Sequence, residues 1–251
     1  MRKIIVLILW LLGVMSITGL YAQDDEKMNV AGMGVLVSSS PYDDGDTNVY
    51  PAPIIKWAND YFFVEGEVAG FSFIKNDDVR ASLILTPHLE GYDDNDADVL
   101  SGMEDRDRSL DAGGQLLWHL PMCENLDLTL DFVSDLLGNH EGQEAKVALS
   151  KTFKFEKFHL APSLGIRWKS ENVVDYYYGV MPSEATATRP QYEPDSTVNF
   201  FGYLNYYQGL PKDWVLVTRI GFEVLGDEIN DSPLVDKSVT VKGLIGLAKR
   251  F

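Results

Sequence analysis

The sequence predicts an antiparallel transmembrane β-barrel of about ten to twelve strands, on three observations. Apolar and polar residues alternate with a period of two along most of the chain, the mark of strands with one apolar and one polar face. Beyond the N-terminal region no run approaches the roughly 18 apolar residues of a spanning helix. A membrane form of this chain must therefore close its sheet on itself to satisfy its backbone groups. Short turns and longer loops also alternate between segments, the end-to-end asymmetry of outer-membrane barrels.

Residues 1–22 read as a secretory signal peptide. Arg2 and Lys3 precede the apolar run of residues 4–12, and Leu20-Tyr21-Ala22 offers a small residue for cleavage. Residues 23–251 then form one barrel domain. No Cys directly follows the cleavage site, which excludes a lipoprotein anchor, and Cys123 stands alone, without an internal disulfide partner. Loss of Arg2 and Lys3 takes the formal net charge from −17 to −19. That charge argues against nucleic acid or an anionic membrane surface, which need a Lys/Arg footprint. The alternating strands, not the charge, point to the lipid of the outer membrane of a Gram-negative bacterium as its surroundings.

Residues 28–37 form a Gly-rich alternating segment, and Pro41, Asp43, Asp44, Gly45 and Asp46 make the following stretch a loop. Residues 49–57 contain Pro51 and Pro53, a weak strand near an edge or rim. Residues 61–74 read as one strand. Residues 79–92 place Val79, Ala81, Leu83 and Leu85 opposite Arg80, Ser82, Thr86 and His88, and 93–109 is a long, acidic, exposed loop. Residues 110–120 alternate again. Leu126-Asp127-Leu128-Thr129-Leu130-Asp131-Phe132 is the clearest strand, with its apolar face toward lipid and its acids toward the lumen.

Residues 145–155 and 158–168 form a pair with a tight turn. In the connection at 169–196, residues 172–178 suit a helical turn, and Pro182, Pro190 and Pro194 keep the remainder irregular. Residues 197–210 and 214–224 form a second pair, and 238–251 close the chain on Phe251, as outer-membrane barrels end. Eleven segments result. Both termini in the periplasm require an even number, which points to a misreading in the Pro-containing region before Tyr61. Working back from a periplasmic C-terminus, the connections at 226–237, 169–196, 139–143 and 93–109 fall outside. Those at 211–213, 156–157, 121–125 and 75–78 fall inside.

No catalytic, cofactor or metal set emerges, and no binding residues are assigned. His88 and His159, with His119, face the polar side and would form a lumen cluster, yet no nucleophile motif surrounds Ser82 or Ser163. Asp94, Asp96, Asp98 and Asp105 partly match a calcium loop, but Val99 stands where its sharp turn requires Gly. Arg80, Arg167, Arg219, Lys242 and Arg250 face inward, where they could select anions or, the favoured reading, pair with Glu65, Glu67, Asp127, Asp131 and Glu223 in a lumen network. Trp57, Tyr61, Trp118, Trp168 and Trp214 fit interfacial girdles.

Several phrases, in order along the chain, resemble the MipA/OmpV family of outer-membrane proteins. They are Gly32 and Gly34 with Pro41-Tyr42, Gly45-Asp46 and Pro51-Ala52-Pro53; Asn139-His140-Glu141-Gly142; Tyr177-Tyr178-Gly179-Val180-Met181-Pro182; and Asp231-Ser232-Pro233-Leu234-Val235 before the closing Arg250-Phe251. The closing tripeptide departs from the family in having Lys249 where an aromatic is common. The resemblance implies a non-enzymatic scaffold that tethers peptidoglycan-remodelling enzymes, a lytic transglycosylase and a murein synthase. The competing readings are a small-solute channel and a surface adhesin. Oligomeric state is not readable from the sequence.

Overall fold

The computed structural model describes residues 29–251, so the signal-peptide segment lies outside the described residues. Its strands form one antiparallel sheet in which β1 (Val30–Ser38) pairs with both β2 (Asn48–Ala58) and β13 (Val239–Arg250). Next come β3 (Phe62–Glu65), β4 (Val68–Lys75), β5 (Val79–His88), β6 (Ser109–His119), β7 (Leu126–Asp135) and β8 (Gln143–Lys151). Then follow β9 (Phe153–Lys154), β10 (Phe158–Lys169), β11 (Thr197–Gly209) and β12 (Trp214–Val224). Pairing of β10 with β11 closes the wall. Because β9 continues β8 past Thr152 and both lie on β10, the barrel has twelve strands.

The twelfth strand comes from residues 61–74, which fold as a hairpin rather than one strand. Gly66 adopts a φ of 62°, so a two-residue loop at Gly66-Glu67 turns β3 into β4, with Glu65 opposite Val68. No Pro, Asn or Asp marks this turn, so the alternation runs through it undisturbed. The Pro-containing segment before Tyr61 is not the misread one, for β2 is a complete strand.

The faces divide as lipid requires. On β7, Phe132 is 55% exposed on the outside while Asp127 is 1% exposed inside. On β13, Ile245 is 56% exposed and Leu244 2%. No second protein layer covers Leu126, Leu128, Leu130 or Phe132 among the described residues, and no described helix is long and apolar enough to cross a membrane. Short turns gather at one end with both chain ends, where Arg250 N–H donates to Asp213 O and Phe251 N–H to Asn29 O. The long loops gather at the other.

The 93–109 loop is not simply exposed. Ala97, Leu100, Met103 and Arg106 are buried in a second core that sits over the loop end of the barrel.

Candidate functional site

That second core is built on α1 (Glu171–Tyr178), in the 169–196 connection. Val173, Val174, Tyr177 and Tyr178 fall on one face of the helix and are buried. They pack with Tyr42, Tyr92, Leu100, Met103, Leu225, Leu234 and Ile229 of the short α2 (Asp227–Asn230). Carbonyls near the end of α1 have no partner within the helix. Tyr42 Oη donates to Tyr177 O at 3.2 Å and Ser232 Oγ to Tyr178 O at 2.6 Å, so residues far apart in sequence seal the helix end.

Arg106 ties the flanking loops together. Its Nε donates to Tyr176 O at 2.8 Å, and its Nη2 to both carboxylate oxygens of Glu184 at 2.9 and 3.0 Å. Burial raises the Glu184 pKa, but the N–H groups of Glu104 and Met181 and the Arg106 charge outweigh it and hold the carboxyl below its ordinary value. Arg189 adds bonds from its guanidinium to Glu184 O and to Val99 O. Four loops thus form one cap.

Beneath the cap lies a polar cluster. His88 Nδ1 donates to Asp111 Oδ2 and His140 Nε2 to Asp111 Oδ1, both at 3.2 Å. The His88 ring stacks on Tyr177 with centroids 4.9 Å apart and planes 4° from parallel. The fully buried Lys169 pairs with Glu90 and lies 3.6 Å from Glu144. Burial raises the Glu90 pKa, yet the Lys169 charge and the His88 contact bring it well below the ordinary glutamate range. The ligand atoms of His88, Asp111 and His140 lie within 4.8 Å of one another. Two imidazoles and a carboxylate are a donor set that suits zinc. Here both rings donate to the carboxylate and Lys169 stands nearby, so the arrangement is already balanced as a pin between cap and barrel.

The histidines meet differently from the sequence expectation. His88 joins the loop residue His140, whereas His119 pairs with Asp127 at 2.6 Å toward the turn end, and His159 sits on β10 opposite Lys154 and Tyr207. Ser82 bonds Ser72 and Ser163 bonds Ser150 across neighbouring strands. In the acidic loop, Asp96 and Asp105 accept the backbone N–H groups of Asp93 and Asp94, so these carboxylates hold the loop shape. Asp111, Glu144 and Lys169 escaped sequence reasoning. Asp111 carried only the signal of a charge on one face of a strand, while Glu144 and Lys169 fell just outside the strands read at 145–155 and 158–168.

Of the inward cations, Arg80 pairs with Glu65 at 3.4 Å and Arg167 with Glu223 at 3.6 Å. Asp131 takes Lys146 instead. Arg219 lies over the Tyr203 ring at 4.1 Å, and its Nε and Nη2 hold no hydrogen bond among the described residues.

A cavity of about 490 Å³ occupies the loop half of the lumen. Arg219 on β12, Lys242 on β13, Ile84 on β5 and Ala148 on β8 are its deepest lining residues, with Tyr178 and Arg106 of the cap above. Closer to the turn end, Val30, Ala52, Ile54, Tyr207, Val215, Val217, Leu244 and Ala248 pack together inside the barrel. This cluster lies beneath the cavity on the β1, β2 and β11–β13 side of the barrel. At the turn end a second hollow of about 950 Å³ lies among three turns and is edged by Asp60, Asp77, Asp78, Glu124, Lys75 and Lys154.

A family model described as "MltA-interacting protein MipA" matches residues 31–251. The MltA-interacting protein of Escherichia coli (strain K12) is 30% identical over 245 residues, covering 96% of this chain and 97% of that one. The outer membrane protein OmpV of Vibrio cholerae is 27% identical over 170 residues, 64% of this chain and 62% of its own. Among solved structures, an outer membrane channel from Pseudomonas putida F1 aligns in fold alone, with a TM-score of 0.48 at 13% identity, over 90% of this chain and 96% of that one.

Proposed function

Since this chain belongs to the MipA family and is a β-barrel of the Gram-negative outer membrane, we propose that it is a scaffold which holds peptidoglycan-remodelling enzymes at the periplasmic face. The observation that carries this reading is the packing of the lumen: apolar side chains of β1, β2, β11, β12 and β13 close together inside the barrel toward its turn end. Packing of this kind leaves less room for an aqueous path, which disfavours the channel reading. The adhesin reading needs free external loops, whereas the loops here are bound to one another in the cap.

Short turns face the periplasm in barrels of this kind. The turn-end hollow, rimmed by Asp60, Asp77, Asp78 and Glu124, is then the surface offered to a partner with a basic face. The name of the E. coli relative, MltA-interacting protein, agrees with a lytic transglycosylase as one such partner. The test is co-purification of murein enzymes with the tagged barrel from solubilised envelopes, alongside conductance in planar bilayers. We expect a lytic transglycosylase to co-purify with the native chain, to be lost from an Asp77→Lys/Asp78→Lys variant, and to be accompanied by no steady conductance. Stable single-channel currents with no enzyme recovered would overturn the reading.

A further inference from the structure

The barrel wall is incomplete on one side. Strand β3 reaches β2 only at Lys56, Trp57 and Ala58, and β4 reaches β5 no higher than Leu85. Above the hairpin tip at Gly66-Glu67, residues 48–54 of β2 pair with β1 alone, a length of roughly 20 Å at about 3.3 Å per residue. The facing end of β5 is likewise without a neighbour on its β4 side.

An open sheet edge inside a bilayer leaves backbone groups unsatisfied, unless that backbone lines a cavity. The sequence has reduced the problem at this place. Pro51 and Pro53 stand opposite Val35 and Met33 of β1. Lacking an N–H, they fit only where the ladder asks nothing of them, so their nitrogens face away from β1 and toward the notch. Ile55 confirms the phase, since its carbonyl accepts the Gly66 N–H on that side. By the same argument Pro87, opposite Leu110 of β6, turns its nitrogen toward the notch from the other edge. Pro51 and Pro87 lie on the outward side of their strands, yet both line the lumen cavity together with Arg219 and Lys242. Pro51 is exposed and Pro87 buried, so the cavity reaches the notch from within the barrel.

Its two ends differ in chemistry. Val68, Ile84, Leu36 and Tyr50 give the part next to the notch an apolar surface, beside the Glu67 side chain at the hairpin tip. At its lower end Arg219 is 3% exposed, and among the described residues it has no ion pair and no hydrogen bond on Nε or Nη2, both of which are shielded from solvent. A buried guanidinium left in this state calls for a partner, and its planar fork matches a carboxylate. Lys242 borders the same space.

We propose that the lumen is a binding site for a single-chain amphipathic carboxylate that enters from the membrane through the notch, with its acid group on Arg219 and its hydrocarbon chain toward Ile84 and Val68. This does not depend on the scaffold reading, and its test involves no enzyme partner.

The test is equilibrium binding of radiolabelled decanoate to the folded barrel in nanodiscs, with folding checked by heat-modifiable migration. Saturable binding is expected, weakened at least about tenfold by Arg219→Gln, the loss of one charge-assisted contact. Decanol and decyltrimethylammonium should compete poorly with decanoate on the native protein, a comparison that needs no variant. Acetate should compete poorly too, because it lacks the chain. Pro51→Trp, at the exposed edge of the notch, should slow loading from the bilayer. Equal binding by the Arg219→Gln variant, or competition by acetate as strong as by decanoate, overturns the proposal.

Discussion

Replacing Arg106 with Met should release the cap while leaving the barrel intact. Arg106 is buried, and its guanidinium bonds Glu184, Tyr176 O and Glu104 O. Removing one partner of a buried ion pair costs about 3–5 kcal/mol, because the other charge is left stranded. Glu184 would keep the N–H groups of Glu104 and Met181, which puts the expected cost at the lower end, about 3 kcal/mol. At 1.4 kcal/mol per decade that is roughly a hundredfold rise in the open population of the cap. Hydrogen exchange read by mass spectrometry resolves this, since local opening and global unfolding expose different amides. Protection should fall by about two decades in α1 and the 93–108 loop, with β6 and β7 unchanged. Adding Glu184→Gln to the variant should cost much less than Glu184→Gln alone, as expected for two groups in one pair. Unchanged protection in α1, or an equal loss across the strands, would refute the view that the cap is a separately closing unit held by this pair.

Gly142→Val should also unseat α1, because a Cβ there would meet Val173 Cγ2 at 2.5 Å and Val173 N at 2.8 Å; limited proteolysis should then cut within residues 171–196 while the heat-modifiable band persists. Glu184 has a depressed pKa, so its contribution is complete above the unfolded glutamate value of about 4.3 and is lost as pH falls through the lower folded value. Protease sensitivity of the cap should therefore rise only below about pH 4, and this step should vanish in Glu184→Gln. Phe132→Arg, on the lipid face, should destabilise the barrel by about 2–4 kcal/mol in urea titrations from vesicles, whereas Lys242→Gln in the lumen should leave the midpoint in place. Gly32→Val should prevent the compact form altogether, since a Cβ at this site would meet the backbone of Leu247 and Ala248 where β1 joins β13.

The wall was legible because lipid enforces a rule with period two. Leu126 to Phe132 and residues 239–251 alternate outside and inside as the pattern requires, with Asp127, Thr129 and Leu244 turned inward. Where a turn gives no local signal the rule fails: a lone Gly66 reversed the chain within a stretch whose alternation never broke. The cap was out of reach for a different reason. Val173, Val174, Tyr177 and Tyr178 show helical spacing over only two turns, and their partners Tyr42, Leu100 and Leu234 come from loops up to 135 residues distant, as with Tyr42 and Tyr177. Acidic composition made 93–109 look solvated, while its few apolar residues, Ala97, Leu100 and Met103, decided where it packs. The resembling phrases around Tyr42, His140, Tyr178 and Ser232 did converge, all of them on α1 or directly beneath it.

The same reasoning separates Arg219 from the other inward cations. A charge buried in the lumen has little bulk water to draw on, so it needs a protein partner or a ligand. Arg80 has Glu65, Arg167 has Glu223 and Lys169 has Glu90. Arg219 has an aromatic face on one side and open cavity on the other. In a chain of net charge −17, a carboxylate to neutralise it would be the easiest residue to supply. That no carboxylate among the described residues forms an ion pair with it, in a cavity that Asp131, Glu144 and Glu223 also line, argues that this charge serves a molecule from outside the chain.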